Sequence, residues 1–328
     1  MKRKILKIIG IIILLVVASA GTLIIYARKM LPDISLEDIH VTATPERIHR
    51  GEYLFNYVAV CVDCHSARNE KLFSMPVVAG TEGGGGELFD QHRGFPGSYT
   101  AKNLTPYHLS GWTDAEIFRA ITSGENREGR ALFPIMPYQS YGKMDKEDVY
   151  SIISYLRTLK PIPNEWPASQ SDFPMSIIIN TIPKPADLRP APPSSDAVRY
   201  GKYLVSIANC MHCHTQMERG ELKKGLEFAG GREFPMPTGG TVRSANITAD
   251  VETGIGAWSR EAFVQKFRSM GDSTFHPFEI QKGGMNTIMP WTNFGKMKEN
   301  DLAAIYAFLR TVKPIRNKVQ KFTATAEQ

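Results

Sequence analysis

The amino-acid sequence predicts an all-α protein of two tandem helical units behind an N-terminal transmembrane helix. Three observations lead there. A Cys-x-x-Cys-His motif stands at Cys61-Val62-Asp63-Cys64-His65 and again at Cys210-Met211-His212-Cys213-His214. Helical sequence around each motif recurs about 150 residues on, and the chain begins with a long uncharged apolar run.

Taken in order, Lys2, Arg3, Lys4 and Lys7 precede Ile8 to Tyr26, which is uncharged and long enough to cross a bilayer core as a helix. Arg28 and Lys29 close it, and the stronger basic cluster on the N-terminal side keeps that end in the cytoplasm, exporting the rest. Ala18-Ser19-Ala20 also suits a signal-peptide cleavage site. The apolar run continues past it, so residues 1–29 read as an uncleaved anchor in a bacterial inner membrane, with the remainder in the periplasm. Of the net charge of +6, residues 1–26 supply four basic residues and no acid, leaving 35 basic against 33 acidic elsewhere. Nucleic-acid binding has no electrostatic support.

The first unit spans residues 30–162. Thr44-Pro45 is a cap followed by proline at the first helical position, and Ile48, Gly51, Leu54, Phe55 and Val58 mark one helical face. The same face is written again at Val198, Gly201, Leu204, Val205 and Ala208 after a cap at Ser195, in a second unit spanning 195–317. Gly51 and Gly201 predict a close crossing with another helix. One residue is lost from the repeat before the second cysteine pair. Glycine-rich loops follow, Ala79–Gly86 and Ala229–Gly240, and lack the Lys-Ser/Thr of a phosphate loop. Asn103-Leu104-Thr105 and Asn246-Ile247-Thr248 come next, each ahead of a tryptophan, Trp112 or Trp258, and a helix. Thr113 with Glu116 predicts a capping box, and Ser259 is the matching cap.

Each unit closes alike: Tyr141-Gly142-Lys143-Met144 leads to Tyr155-Leu156-Arg157-Thr158, and Phe294-Gly295-Lys296-Met297 to Phe308-Leu309-Arg310-Thr311. Both closing segments are amphipathic helices stopped by proline. Residues 163–194 are a proline-rich linker expected to lie extended over the surface, and 318–328 are a tail.

Two thiols three positions apart can each add across a vinyl group of haem, and the adjacent imidazole then binds the iron. All four cysteines lie in the motifs, which removes structural disulfides and cysteine ligation. Zinc ribbons place their cysteine pairs about 15 to 20 residues apart, unlike these. Cys61, Cys64, Cys210 and Cys213 therefore attach two haem c groups, with His65 and His214 as proximal ligands. His212 reads as a solvent-facing filler.

A soft thioether is the expected sixth ligand. Of four Met-Pro pairs, at Met75, Met136, Met236 and Met289, only Met136 and Met289 hold equivalent places, each eight residues before Met144 or Met297. Met285, His92, His108 and His276 are the rivals. Asn103, Asn246, Trp112, Trp258 and Arg232 are candidates to contact haem propionates or hold the methionine loop, against a plain role in turns and core.

With these residues in view, the chain resembles the dihaem class I cytochromes c that serve as cytochrome subunits of bacterial periplasmic alcohol and gluconate dehydrogenases. The resemblance covers about residues 45 to 315. It rests on the two Cys-x-x-Cys-His motifs, Asn-Leu/Ile-Thr, Met-Pro-Tyr/Trp and the Tyr/Phe-Leu-Arg-Thr helix. It implies two small helical domains around haem with His/Met ligation. Those subunits commonly carry three haems and a C-terminal membrane segment, unlike the two motifs and N-terminal run here.

The expected function is one-electron transfer from a periplasmic dehydrogenase to a cytochrome or terminal oxidase, not catalysis by the chain itself. The competing reading is a dihaem enzyme, either a cytochrome c peroxidase or a thiosulfate-type dehydrogenase. The former needs an iron that opens, and the latter a spare cysteine.

Overall fold

A computed structural model describes residues 2–28, 34 and 38–324. Met1, the Lys29 flank of the span, residues 30–33 and 35–37 at the start of the first unit, and residues 325–328 of the tail lie outside the described residues. The N-terminal run forms a helix over Lys2–Arg28, the one helix among the described residues long and apolar enough to cross a bilayer. A signal sequence has the same character.

Beyond it, one series of elements occurs twice. A leading helix (Pro45–Tyr53, then Ala197–Ile207) runs into a one-turn attachment helix (Cys61–Cys64, then Cys210–Cys213). A middle helix (Asp114–Ser123, then Arg260–Gly271) and a closing helix (Lys146–Leu156, then Glu299–Leu309) complete each series. The predicted caps form: Thr44 accepts from Arg47 N, Ser259 from Ala262 N at 3.1 Å, and Thr113 with Glu116 makes a reciprocal capping box. The second leading helix is capped by Asp196 rather than Ser195, its carboxylate accepting from Arg199 N at 3.0 Å. A carboxylate adds favourable charge at the helix N-terminus.

The leading and closing helices of each half cross as the glycines predict. A Cβ on Gly51 would fall on the carbonyl oxygen of Ser151, and one on Gly201 on that of Ala304. Absence of a side chain lets backbone meet backbone, and Leu54, Phe55, Val58, Val149, Ile153, Leu204, Val205 and Leu302 bury around the two crossings in one apolar cluster. Val198, expected on the buried face, stays 41% exposed in the first turn of its helix. The residue missing from the repeat also has a structural cause. Leu54–Val58 forms a π-helical turn in which Ala59 N bonds five residues back to Leu54 O, whereas Ala208 N bonds four back to Leu204 O. The wider turn absorbs the extra residue.

The all-α expectation needs correction in the glycine-rich stretches and the linker. Gly97–Thr100 pairs antiparallel with Leu88–Phe89 and with Gln170–Ser171 of the linker, in the register Leu88↔Thr100 and Gly97↔Ser171. Thr241–Arg243 likewise pairs with Glu233–Pro235 and with Phe322–Thr323 of the tail. Met217–Glu218 and Glu221–Leu222 make a third small sheet. The linker is not simply extended: Met175–Ile178 is helical, Ile179–Thr181 continues as a 3₁₀ turn, and Ile179 is buried. Three successive isoleucines give this stretch apolar surface to bury, which the prolines around them mask in the sequence.

Contacts across the halves follow the repeat. Tyr53 donates to Asp301 at 2.6 Å and accepts from Lys298 N at 3.0 Å. Tyr203 donates to Asp148 at 2.6 Å and accepts from Asp145 N at 3.1 Å. Each tyrosine of one leading helix thus caps the other half's closing helix, the self-complementary pattern of a two-fold interface within one chain.

Candidate functional site

The two motifs occupy equivalent turns. Val60 and Asn209, at φ 51° and 53°, adopt left-handed backbone just before the first cysteine and swing each attachment helix out of line with its leading helix. His65 N and His214 N return to the carbonyls of Cys61 and Cys210 at 3.0 and 2.9 Å, so all three chemical groups of a motif are held by one turn.

Each histidine is then tethered by its inner nitrogen. His65 Nδ1 donates to Lys102 O and His214 Nδ1 to Ala245 O, both at 2.7 Å. A carbonyl can only accept, so the proton sits on Nδ1 and the Nε2 lone pair is left for a metal. Burial holds both imidazoles below their usual pKa, against the raising influence of those carbonyls. The neutral, ligating form is favoured.

The glycine-rich loops serve this tether. Gly85 N donates to His65 O at 2.9 Å and Gly230 N to His214 O at 2.7 Å, both glycines at positive φ. A Cβ on Gly85 would collide with Ala101 O, and one on Gly230 with the backbone of Ala245. Glycine is required there for the loop and the segment bearing the acceptor carbonyl to lie against each other.

The asparagines complete the strut. Asn103 accepts from Thr105 N and Oγ1 and donates to Ile162 O and Asn164 O at 2.8 and 2.9 Å. Asn246 accepts from Thr248 N and Oγ1 and donates to Ile315 O at 2.8 Å. Their amides are spent on the strap that leaves each closing helix. Among the tryptophans, Trp112 O accepts from Arg157 at 2.6 Å and Trp258 O from Tyr306 at 2.6 Å. Arg232 donates to His212 O at 2.7 Å, over the second attachment turn, with its guanidinium 5.3 Å from the Phe234 ring centre. His212 is half-buried, not solvent-facing as expected, and burial beside Arg232 lowers its pKa to about 4.

All four cysteines and both histidines face one continuous cavity of about 2110 Å³, which Met136 and Met289 also line. A well-packed protein has few voids larger than a water molecule, and ordinary ligand pockets reach roughly 1,000 Å³. Burial pushes the thiols of Cys61 and Cys210 up to about 12 and raises those of Cys64 and Cys213. Thiols so held are unlike those of a redox dithiol, which are activated by a lowered pKa. Free thiols, an imidazole with its outer nitrogen available, and a large cavity before them fit a covalent haem c.

Three of the rivals, Met75, His108 and Met285, line the same cavity, though their settings differ from those of Met136 and Met289. Met75 and Met236 are buried together with Val242 in a separate small cluster. Met285 is 48% exposed at the cavity margin, and His92, His108 and His276 are exposed.

Two groups of residues were missed by sequence reasoning. Arg68, almost wholly buried, pairs with Asp63 inside the first motif and with Glu87 at 3.5 Å, while Arg93 joins Glu87 to Glu70. Burial raises the Asp63 carboxyl in spite of Arg68. Asp63 between two cysteines was the available signal. Ser74 and Asn286, which bridge the two halves, carried none.

Residues 198–313 match the cytochrome c family model. The chain is 27% identical over 287 residues to the cytochrome c subunit of a quinone alcohol dehydrogenase from Gluconacetobacter polyoxogenes, covering 82% of this chain and 56% of that protein. It is 27% identical over 277 residues to the fructose dehydrogenase cytochrome subunit of Gluconobacter japonicus, covering 81% and 52%. A diheme cytochrome c-type protein of Cereibacter sphaeroides is 27% identical over 279 residues, covering 81% of this chain and 86% of that protein. The chain spans about half the length of the dehydrogenase subunits it matches. The resemblance read from the motifs is thereby shown.

Proposed function

Since the chain carries a cytochrome c domain, we propose that it is a dihaem cytochrome c of tandem class I domains, anchored in the inner membrane by its N-terminal helix, that passes single electrons in the periplasm. The donor is a dehydrogenase and the acceptor a cytochrome or terminal oxidase. The observation that carries this reading is the duplicated site: two Cys-x-x-Cys-His turns and two equivalent methionines around one continuous cavity.

Haem c supplies reversible one-electron exchange at its iron. The chain's residues do the rest. Cys61 and Cys64, then Cys210 and Cys213, fix each group covalently. His65 and His214 offer Nε2, oriented by the carbonyls of Lys102 and Ala245. Met136 and Met289, each followed by proline and a one-turn helix, would supply thioethers to the bound groups. With a histidine and a methionine both bound, the iron would have no position for substrate, which favours a carrier over the dihaem-enzyme reading. The largely apolar walls would favour the reduced state.

The test is spectroscopic. Met136→Ala and Met289→Ala should each remove the thioether ligation signal of one of two low-spin haems. A high-spin haem with peroxide turnover in the wild-type protein would sink the carrier reading. Cross-linking in native membranes, with reduction of the captured complex by alcohols, aldehydes or sugars, would identify the donor.

A further inference from the structure

The loop that follows the first motif reaches across to the second half. Ser74 is 1% exposed, and its hydroxyl donates to Met289 O at 2.7 Å and accepts from Trp291 N at 3.0 Å. Those two groups flank Pro290, so one hydroxyl clasps both sides of the Met289-Pro290 turn. Asn286, fully buried, reciprocates: its oxygen accepts from Ser74 N at 3.0 Å, and its amide donates to Leu72 O at 3.1 Å. Thr287 Oγ1 accepts from Met289 N at 3.0 Å. Phe73 N donates to Phe278 O and Ile280 N to Lys71 O, at 2.8 and 2.7 Å, and the Phe73 and Phe278 rings stack with centres 5.0 Å apart.

The Met136 turn is supported differently. Leu132 N donates to Gly124 O at 2.7 Å, and Glu125 bridges to Ala131, all within the first half. Equivalent methionines therefore stand on unequal supports.

We propose that Ser74 is a positioning residue for Met289: the first half holds the second half's methionine in place, so ligation at the second haem depends on the first half's loop. This rests on the reading of Met289 as an axial ligand. Ser74 has φ 65°, a conformation that favours glycine. Its retention of a side chain there is accounted for by the two bonds its hydroxyl makes. The turn keeps its own bond from Trp291 N to Met289 O at 2.8 Å, so loss of the Ser74 bonds loosens its attachment to the first half and raises the fraction of protein with the thioether detached. A competing external ligand reads that fraction directly.

The experiment uses the full-length protein with haem attached. Ser74→Gly removes the hydroxyl and suits the backbone, so strain does not confuse the outcome. Imidazole is titrated into the ferric protein while the thioether-to-iron charge-transfer absorption is followed. Met136→Ala and Met289→Ala assign each band to its haem. In Ser74→Gly, imidazole should bind the second haem about tenfold more tightly, the effect of two modest hydrogen bonds, and the first haem with unchanged affinity. Unchanged binding at both haems, or equal tightening at both, overturns the proposal. If Met289→Ala itself leaves both thioether bands intact, the ligation reading fails first, and the two failures are distinct.

Discussion

At the residue scale, the two motifs differ most in the charges beside them. The first holds Arg68 between Asp63 and Glu87, whose side chains are also mostly shielded from solvent. The second has Arg232 against a backbone carbonyl, with burial lowering its pKa. Burial raises the Asp63 carboxyl in spite of its pairing, so attraction only partly offsets desolvation there, and the network is costly to break. Arg68→Met should cost about 3 to 5 kcal/mol, because Asp63 loses its cation in a site water does not reach freely, while Glu87 keeps Arg93. Urea unfolding of the haem-loaded protein measures this, and a loss under 1 kcal/mol would mean that the network is solvated. Removing a cation also disfavours the reduced state, so on the proposed dihaem reading the potential of the first haem should fall while that of the second holds.

At the scale of elements, the helix crossings carry the sharpest requirement. Gly51 and Gly201 face carbonyl oxygens, and a backbone atom cannot rotate away as a flexible side chain can. Gly51→Ala and Gly201→Ala should each destabilise by about 1 to 3 kcal/mol through overpacking, although alanine is the better helix former. Thermal unfolding that left either variant as stable as the wild type would contradict the crossing. These glycines were legible in the sequence because the repeat wrote them twice at helical spacing. The closing helices were legible for the same reason, and the capping box because its partners lie three residues apart. What escaped was set by distance or by conformation. The carbonyl that tethers His65 belongs to Lys102, and any residue type supplies a carbonyl. Gly85 looked like loop because its purpose, to let that carbonyl approach, exists only once the chain folds back. Ser74 meets Met289 across 215 residues, and no local pattern marks either end. The small sheets were missed because strands of two to four residues are too short to show alternation.

At the scale of the molecule, the halves are joined by a reciprocal pair of tyrosine clasps, and their ionisation gives a test of that interface. Burial, then the hydrogen bond to a carboxylate, raises Tyr53 well above its usual value near 10; burial, then the Asp148 charge and its hydrogen bond, does the same for Tyr203. The folded chain therefore holds these protons more tightly than the unfolded one. Their contribution is complete below about pH 10, where the unfolded phenols begin to ionise, and is lost as pH rises beyond it. The slope is about 1.4 kcal/mol per pH unit for each tyrosine. The double variant Tyr53→Phe, Tyr203→Phe removes both phenols and leaves the Asp301 and Asp148 carboxylates without that donor. It should be less stable at pH 7 by roughly 2 to 4 kcal/mol, as hydrogen bonds to charged groups are the stronger kind. Above pH 10 the gap should close, since only the wild type has these protons to lose. Urea unfolding from pH 7 to 11 draws both curves. Parallel curves would show that the phenols do not hold their protons across the interface. Because the same clasps cap the closing helices at Asp145 and Lys298, their loss should also reduce the cooperativity between halves, and the two halves of the double variant should then unfold in separate steps.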